Sequence, residues 1–265
     1  MRKLTGFTIV ALGLALSLSS VASAGRSTGS IFLRGGVEYT GHSLDDLKDY
    51  QDYNNELLAG LDMNMSPPLK NVGAALGFDL ELGYQVSPVI SVGIGFARAR
   101  HSRENSSTGE FDIYDQYGYV ATEELTLDQE LGASISEITG NVTFWVPGAA
   151  GLFVGVQGGL GMRKYAETVT FTVAVPNYDV SETLTTSADD SGNGFVCGAF
   201  AGYDLAFSNG VSVFAKAGYR LRNLGKLKDT EVVRDFMGYP ESVELNFSGM
   251  FASAGLGFSF GGAAR

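Results

Sequence analysis

The sequence contains little cysteine, few basic residues and no long apolar run beyond its first two dozen residues. Its single cysteine, Cys197, permits no internal disulfide. Because the rest of the chain lacks a stretch of about 18 apolar residues, a helical membrane protein is excluded. Eighteen Lys and Arg stand against 29 Asp and Glu, which gives a formal net charge of −11. This acidity argues against a nucleic-acid partner and against a basic module that binds membrane surfaces.

The apolar run at the N-terminus has the features of an export signal. Basic residues at positions 2 and 3 precede it, and the triplet Ala-Ser-Ala at 22–24 follows it. Serines interrupt the run, which is shorter than the roughly 20 apolar residues of a membrane-spanning helix. The pattern therefore predicts a signal peptide over residues 1–24, cleaved after Ala24, and a mature domain over 25–265.

Proline is also scarce, and two of three regularly spaced turn signals contain it. Compact turn signals centred on Pro88, Gly148 and Asn209 lie about 60 residues apart. This spacing indicates four units, each made of a strand, a long polar segment and a returning strand. All six prolines fall outside the candidate strands, as they must if every strand is paired on both sides.

The segments beside these turns alternate in the period-two pattern of strands with two different faces. Leu80 and Leu82, for example, alternate with Asp79 and Glu81. Eight such segments occur, each of roughly 10 residues, which is enough to cross hydrocarbon when tilted. Lipid offers no hydrogen bonds to a sheet edge, so a sheet in a membrane must close. We therefore predict an all-β fold, a closed antiparallel transmembrane β-barrel of eight strands.

The predicted topology has short periplasmic turns and long extracellular loops. The loops are expected at approximately 41–71, 101–130, 166–193 and 223–244. Their acidity accounts for most of the net charge. A change of parity near Ser136-Glu137 predicts a β-bulge in the fourth strand.

The two faces of the predicted strands differ in charge. Charged residues on the apolar face, such as Arg98, Arg100 and Lys164, occur only where strands meet long loops. The opposite face carries many glycines and a balanced set of acids and bases, as the narrow lumen of a small barrel requires. We predict that these charges pair across the lumen: Arg34, Glu38, Asp79, Glu81, Arg163, Asp204, Lys216 and Arg220.

Three stretches resemble the small eight-stranded outer-membrane barrels that include the OmpA transmembrane domain and OmpW-like proteins. They are LGFDLELGYQVSPVISVGIGF, ITGNVTFWVPGAAGLFVGVQGGLGMRKY and FSGMFASAGLGFSF. The resemblance implies a place in the bacterial outer membrane, among its lipids. It also implies escort by periplasmic chaperones and insertion by the barrel-assembly machinery, guided by a C-terminal strand that ends in an aromatic residue. Phe260 fits that role, although five residues follow it.

Candidate sites outside the lumen are few. The pairs His42-Ser43 and His101-Ser102 raise the hypothesis of a lipid-modifying enzyme, but adjacent residues of an extended segment point to opposite faces. Two histidines without a cysteine partner make a poor metal site, and no cofactor is expected. Residues 43–61 have the spacing of an amphipathic helix that could cover the lumen.

Architecture is therefore better specified than function. The sequence favours a non-enzymatic, monomeric outer-membrane barrel with a structural or surface-interaction role and a lumen largely filled by paired charges. The alternative is a narrow channel or transporter for a small solute, and the OmpW resemblance implies that such a solute is hydrophobic. A lipid-modifying enzyme is a third and weaker alternative.

Overall fold

The fold consists of eight β-strands. The computed structural model describes residues 27–42, 49, 52–53, 55–56, 59, 66–68, 70, 74–115, 118–175, 180–207, 210–225 and 247–261. The predicted signal peptide and its cleavage site lie outside the described residues. The strands are β1 (Ile31–His42), β2 (Ala75–Ser87), β3 (Ile90–Asp115), β4 (Gly118–Trp145), β5 (Leu152–Val175), β6 (Val180–Ala206), β7 (Val211–Asn223) and β8 (Gly249–Phe260).

The strands form one closed antiparallel barrel in chain order. Each strand pairs with its neighbours in sequence, and β1 closes the ring by pairing with β8, where Ile31 lies opposite Phe260. The predicted eight-stranded barrel is therefore confirmed. Its three short turns coincide with the predicted turn signals, and the turn from β4 to β5 needs glycine because Gly148 and Gly151 have φ angles of +80° and +82°.

Two of the four predicted long loops are wrong. Residues 101–130 and 166–193 belong mostly to strands, because β3, β4, β5 and β6 are 26, 28, 24 and 27 residues long. They continue past the other four strands as two tall hairpins that pair with each other along β4 and β5. The prediction failed because polar composition was taken for loop, whereas the residues of β3 and β4 in this region still alternate between a buried and an exposed side.

The predicted bulge near Ser136-Glu137 is also wrong. The ladder from β3 to β4 runs through Arg98↔Ser136 and Ala97↔Glu137 without a register shift. The change of pattern at Ser136-Glu137 reflects a change in the surroundings of the strand. Below it the outward side chains are apolar, as at Ile138; above it they are polar and the buried side becomes apolar, as at Ile135. A regular strand that emerges from lipid into water thus changes its sequence pattern without changing its backbone.

The predicted helix over 43–61 is only partly described. Residues 49, 52, 53, 55, 56 and 59 are helical, and the remainder lies outside the described residues. Within the described ranges, no helix is long and apolar enough to span a membrane.

Candidate functional site: the barrel lumen

The outer wall of the barrel is apolar. Large hydrophobic side chains stand exposed on all eight strands, including Val37, Leu76, Ile94 and Leu160. On β1 they run from Ile31 to Tyr39, which corresponds to a height of roughly 20–25 Å at usual strand rise and tilt. That height matches the hydrocarbon band of outer-membrane barrels. An exposed apolar band around a buried charged interior identifies a barrel that spans a membrane.

Aromatic rings fill the periplasmic end of the lumen. Phe153 and Phe32 are almost completely buried, and the ring centroids of Trp145 and Phe153 lie 5.1 Å apart. The Trp145 indole donates a hydrogen bond to the Ser91 hydroxyl at 3.2 Å. The members of this aromatic floor come from five strands: Phe32, Trp145, Phe153, Phe200 and Phe214.

Inward glycines make room for these rings. Phe32 lies directly across the ladder from Gly83, and a Cβ on Gly83 would meet the Phe32 ring at 2.1 Å. Phe153 and Gly202 form the same cross-strand pair, with a corresponding distance of 2.4 Å. A Cβ at either position would occupy the space that the ring fills, so each ring lies over a glycine of one neighbouring strand. The abundance of inward glycine is therefore explained by packing.

Arg34 lies within the aromatic floor and joins opposite parts of the wall. Its guanidinium donates to the Asp204 carboxylate from Nε at 3.1 Å and from Nη2 at 2.7 Å, and to Glu81 Oε2 from Nη1 at 3.3 Å. The rings of Phe32 and Phe153 lie within 4.8 and 5.1 Å of its Cζ atom. With 1% of its surface exposed, Arg34 is held by charge-assisted hydrogen bonds and by cation–π contacts.

A second ion pair lies further up the lumen. The Lys216 ammonium approaches Asp79 Oδ2 at 2.6 Å, and the Ser253 hydroxyl donates to Asp79 Oδ1. These three residues come from β7, β2 and β8. All three are buried. The ion pair crosses the bore between β2 and β7, which are not neighbouring strands.

A third cluster, of two acids and two arginines, lies near the extracellular end. Arg220 binds Glu38 through two parallel hydrogen bonds of 2.5 and 2.8 Å, and its Nη1 lies 3.4 Å from Glu137 Oε2. Arg222 donates to the other oxygen of Glu137. Arg220 also stacks on the Phe251 ring, with its Cζ atom 3.9 Å from the centroid.

Arg163 lies above these clusters. Its Nη1 donates to Asp190 Oδ2 at 2.8 Å, and its Nε donates to the Leu224 carbonyl at 2.9 Å. All eight residues named from sequence are therefore buried on the lumen side, and each has an acidic or basic partner there.

Sequence reasoning missed Glu137 and Arg222. Glu137 was assigned to the supposed bulge, so its parity was not used. Arg222 lies at the end of β7, beside a predicted loop, yet it shares the parity of Lys216 and Arg220. Strict alternation along β4 and β7 would have found both residues.

A separate polar cluster is buried between the tall hairpins, above the membrane band. The Gln129 amide donates to Glu167 Oε1 at 2.6 Å, the Tyr165 hydroxyl donates to Glu167 Oε2 at 2.8 Å, and Asn105 donates to Gln129 at 2.9 Å. Burial raises the pKa of the Glu167 carboxyl, an effect that the hydrogen bonds from Gln129 and Tyr165 partly oppose.

Among the described candidates, His101 and Ser102 do not form a catalytic pair. The sequence predicted His101 at the start of a loop. It is instead a buried strand residue, and its ring centroid lies 6.5 Å from that of Phe247. Ser102 is exposed on the opposite face of β3. The His42 side chain and Ser43 lie outside the described residues. In the described part of the chain, no group of three His, Cys, Asp or Glu residues could hold a metal ion.

No protein-family model and no curated protein matches the chain. Solved structures with a similar fold include Ail, the attachment invasion locus protein of Yersinia pestis, in complex with the heparin analogue sucrose octasulfate. The two sequences are 14% identical, the match covers 88% of this chain and 99% of Ail, and the TM-score is 0.41. OprG from Pseudomonas aeruginosa is 11% identical, with 90% and 99% covered and a TM-score of 0.41.

Neisserial surface protein A is also similar, at 11% identity, with 88% and 99% of the two chains covered and a TM-score of 0.31. The likeness is one of fold, and this chain's own structure is a small antiparallel β-barrel. Its eight-stranded closure is established by its own strand pairing.

Proposed function

We propose that this protein is an outer-membrane barrel with a closed lumen, whose function is structural or is exerted at the cell surface by its extracellular hairpins. The observation that carries the proposal is the contents of the lumen. Five buried bases (Arg34, Arg163, Lys216, Arg220 and Arg222) are paired with six acids (Glu38, Asp79, Glu81, Glu137, Asp190 and Asp204).

This pairing of charges favours a filled barrel over a conducting one. Buried charges are costly unless they are paired and hydrogen bonded, and here the partners lie on different strands across the bore. A path for ions would have to break these pairs or pass beside them. It would also have to cross the aromatic floor around Phe153 and Trp145.

The extracellular part supports a role at the surface. From Arg100 to its end at Asp115, β3 continues for roughly 50 Å measured along the strand. The side of the hairpins that faces away from the buried polar cluster is rich in Thr and Ser, and it includes hydrogen-bonded threonine pairs such as Thr170 with Thr185 at 3.2 Å. A tall, ordered polar sheet is suited to contact with molecules outside the cell.

The expectations about biogenesis remain part of the proposal. Export by a signal peptide, escort by periplasmic chaperones and insertion by the barrel-assembly machinery would bring a monomer among outer-membrane lipids. Phe260 is the last residue of β8, and its ring is exposed on the outer wall, where a recognition signal has to be accessible.

One observation favours the second candidate, a narrow channel for a small solute. The inner face of β4 and β5 carries uncharged polar residues (Thr139, Asn141, Thr143 and Gln157). The Gln157 Nε2 atom is buried without a hydrogen-bond partner among the described residues. A polar strip that is not fully satisfied internally could accept water or a solute.

A flux experiment separates the two functions. Purified protein in phospholipid vesicles should release neither a small sugar nor a small hydrophobic fluorescent solute. The double variant Phe32→Ser/Phe153→Ser should increase sugar release, because it opens the aromatic floor. The matched control Phe144→Ser/Phe258→Ser alters only outward rings and should not increase it. Release of either solute by the unaltered protein would favour the channel.

A further inference from the structure

Three basic residues project outward where the apolar wall ends. They are Arg98 and Arg100 on β3 and Lys164 on β5, and all three are exposed. Every other arginine and lysine described on the strands lies on the lumen side of the wall. Outward positive charge on the described strands is therefore confined to one side of the barrel, at the upper edge of the apolar wall. We call these three residues the basic row.

The strand register brings these residues close together. Arg100 lies opposite Ser134, and Ser134 lies opposite Lys164, so one row of the sheet contains both charges. Two strand spacings separate their backbones by roughly 10 Å, and Arg98 follows on the same face about 7 Å below Arg100. Long flexible side chains at these spacings can converge on one anionic group.

The outer surface of this sector is stratified by chemistry. Phe96 and Met162 lie two residues below Arg98 and Lys164 on the same face. Phe78 lies opposite Arg98, with its ring 5.8 Å from that of Phe96. Above it the face becomes polar and then acidic, with Glu104 directly opposite Glu130. No hydrogen bond or ion pair joins the side chain of Arg98, Arg100 or Lys164 to another described residue.

We propose that this basic row is a binding site for the phosphate-bearing headgroup of an outer-leaflet lipid, whose acyl chains pack against the apolar wall beneath it. The inference rests on the proposed location in the outer membrane. Long basic side chains at the edge of a hydrocarbon band reach the headgroup layer, and anionic headgroups attract them. The acidic face above would repel a soluble polyanion that approached from outside.

The site can be tested by counting bound lipid. Full-length protein is reconstituted in phosphatidylcholine vesicles that contain a minor fraction of diphosphorylated lipid A, and it is then extracted in neutral detergent. Native mass spectrometry counts the lipid A molecules that remain bound. The variants are Arg98→Gln/Arg100→Gln/Lys164→Gln and the charge-conserving Arg98→Lys/Arg100→Lys/Lys164→Arg. Lys70→Gln removes an exposed charge elsewhere and is the matched control.

The unaltered protein, the charge-conserving variant and the Lys70 control should retain lipid A. The neutral variant should lose at least tenfold, because each surface basic residue contributes about a fivefold effect on binding to anionic lipid. Lipid A stripped of its phosphates should not be retained by any variant, and inorganic phosphate at equal concentration should not displace the phosphorylated form.

Equal retention by the neutral and unaltered proteins would overturn the inference, and so would efficient displacement by inorganic phosphate, which would indicate a site for soluble anions. Folding is monitored by the heat-dependent shift in gel mobility of the barrel. If the neutral variant does not fold, loss of lipid A from the folded charge-conserving variant would overturn the site. Failure of the unaltered protein to insert would instead contradict the proposed function.

Discussion

Replacing Arg34 by methionine should destabilise the barrel more than any exposed substitution. The change removes the cation that lies 2.7 Å from Asp204 and 3.3 Å from Glu81, and it leaves two buried carboxylates without it. Breaking a buried ion pair by removing one partner costs about 3–5 kcal/mol. Methionine keeps most of the volume and can contact the surrounding rings, so the loss should arise mainly from charge.

A double-mutant cycle isolates the pair itself. Asp204→Asn alone should cost less, about 1–3 kcal/mol, because Arg34 keeps Glu81 as a partner and the amide can still accept a hydrogen bond. The double variant should be more stable than the sum of the two losses predicts, with a coupling free energy of about 1–3 kcal/mol.

The assay is urea unfolding from phospholipid vesicles, with the folded fraction read from gel mobility. Arg98→Met is the matched control, since it removes an exposed arginine, and it should change the free energy of unfolding by less than about 0.5 kcal/mol. If Arg34→Met falls within about 1 kcal/mol of the unaltered protein, or if the cycle is additive, Arg34 does not tie the lumen together as described.

Three further predictions concern packing, pH dependence and topology. Gly83→Ala should cost about 1–3 kcal/mol of unfolding free energy, because its Cβ would meet the Phe32 ring, whereas Gly140→Ala on the outer wall should be nearly neutral in the same urea assay. Equal effects would show that the inward glycines do not serve ring packing. The pKa of Glu167 is raised in the folded protein above its ordinary value of 4.5. The carboxyl therefore contributes to the free energy of unfolding below pH 4.5, and this contribution is lost as pH rises through the folded-state pKa. Glu167→Gln should therefore raise the urea midpoint near neutral pH and leave it unchanged near pH 4; a gain that is the same at both pH values would contradict the assignment. In a Cys197→Ala background, Glu110→Cys should react with an impermeant maleimide on intact cells, and Ala150→Cys should react only after the outer membrane is opened. The reverse pattern would invert the topology.

Local alternation was sufficient to predict the number of strands, their pairing order and the inward position of the charges. Each membrane strand has two chemically distinct faces, so the side of a residue such as Lys216 follows from its parity alone. The tall hairpins were not predicted, because outside the membrane a strand no longer needs an apolar outer face. The polarity of residues 101–130 was then indistinguishable from that of a loop.

Partner choice inside the lumen was beyond the reach of the sequence. Parity places Arg34 in the bore, but its pairing with Asp204, 170 positions away, depends on ring closure and strand register. The aromatic floor was missed for a related reason. Phe32 and Phe153 lie on the face expected to be polar, and their fit becomes evident only when the register sets each ring against a glycine.

The central claim, a lumen closed by paired charges and aromatic rings, is tested most directly by single-channel recording. Purified, refolded protein in a planar lipid bilayer should produce no current steps, or only very small and irregular ones, at moderate voltage and salt. Large, steady, ohmic steps from the unaltered protein would contradict the account, because ions would then have a continuous aqueous path through the bore.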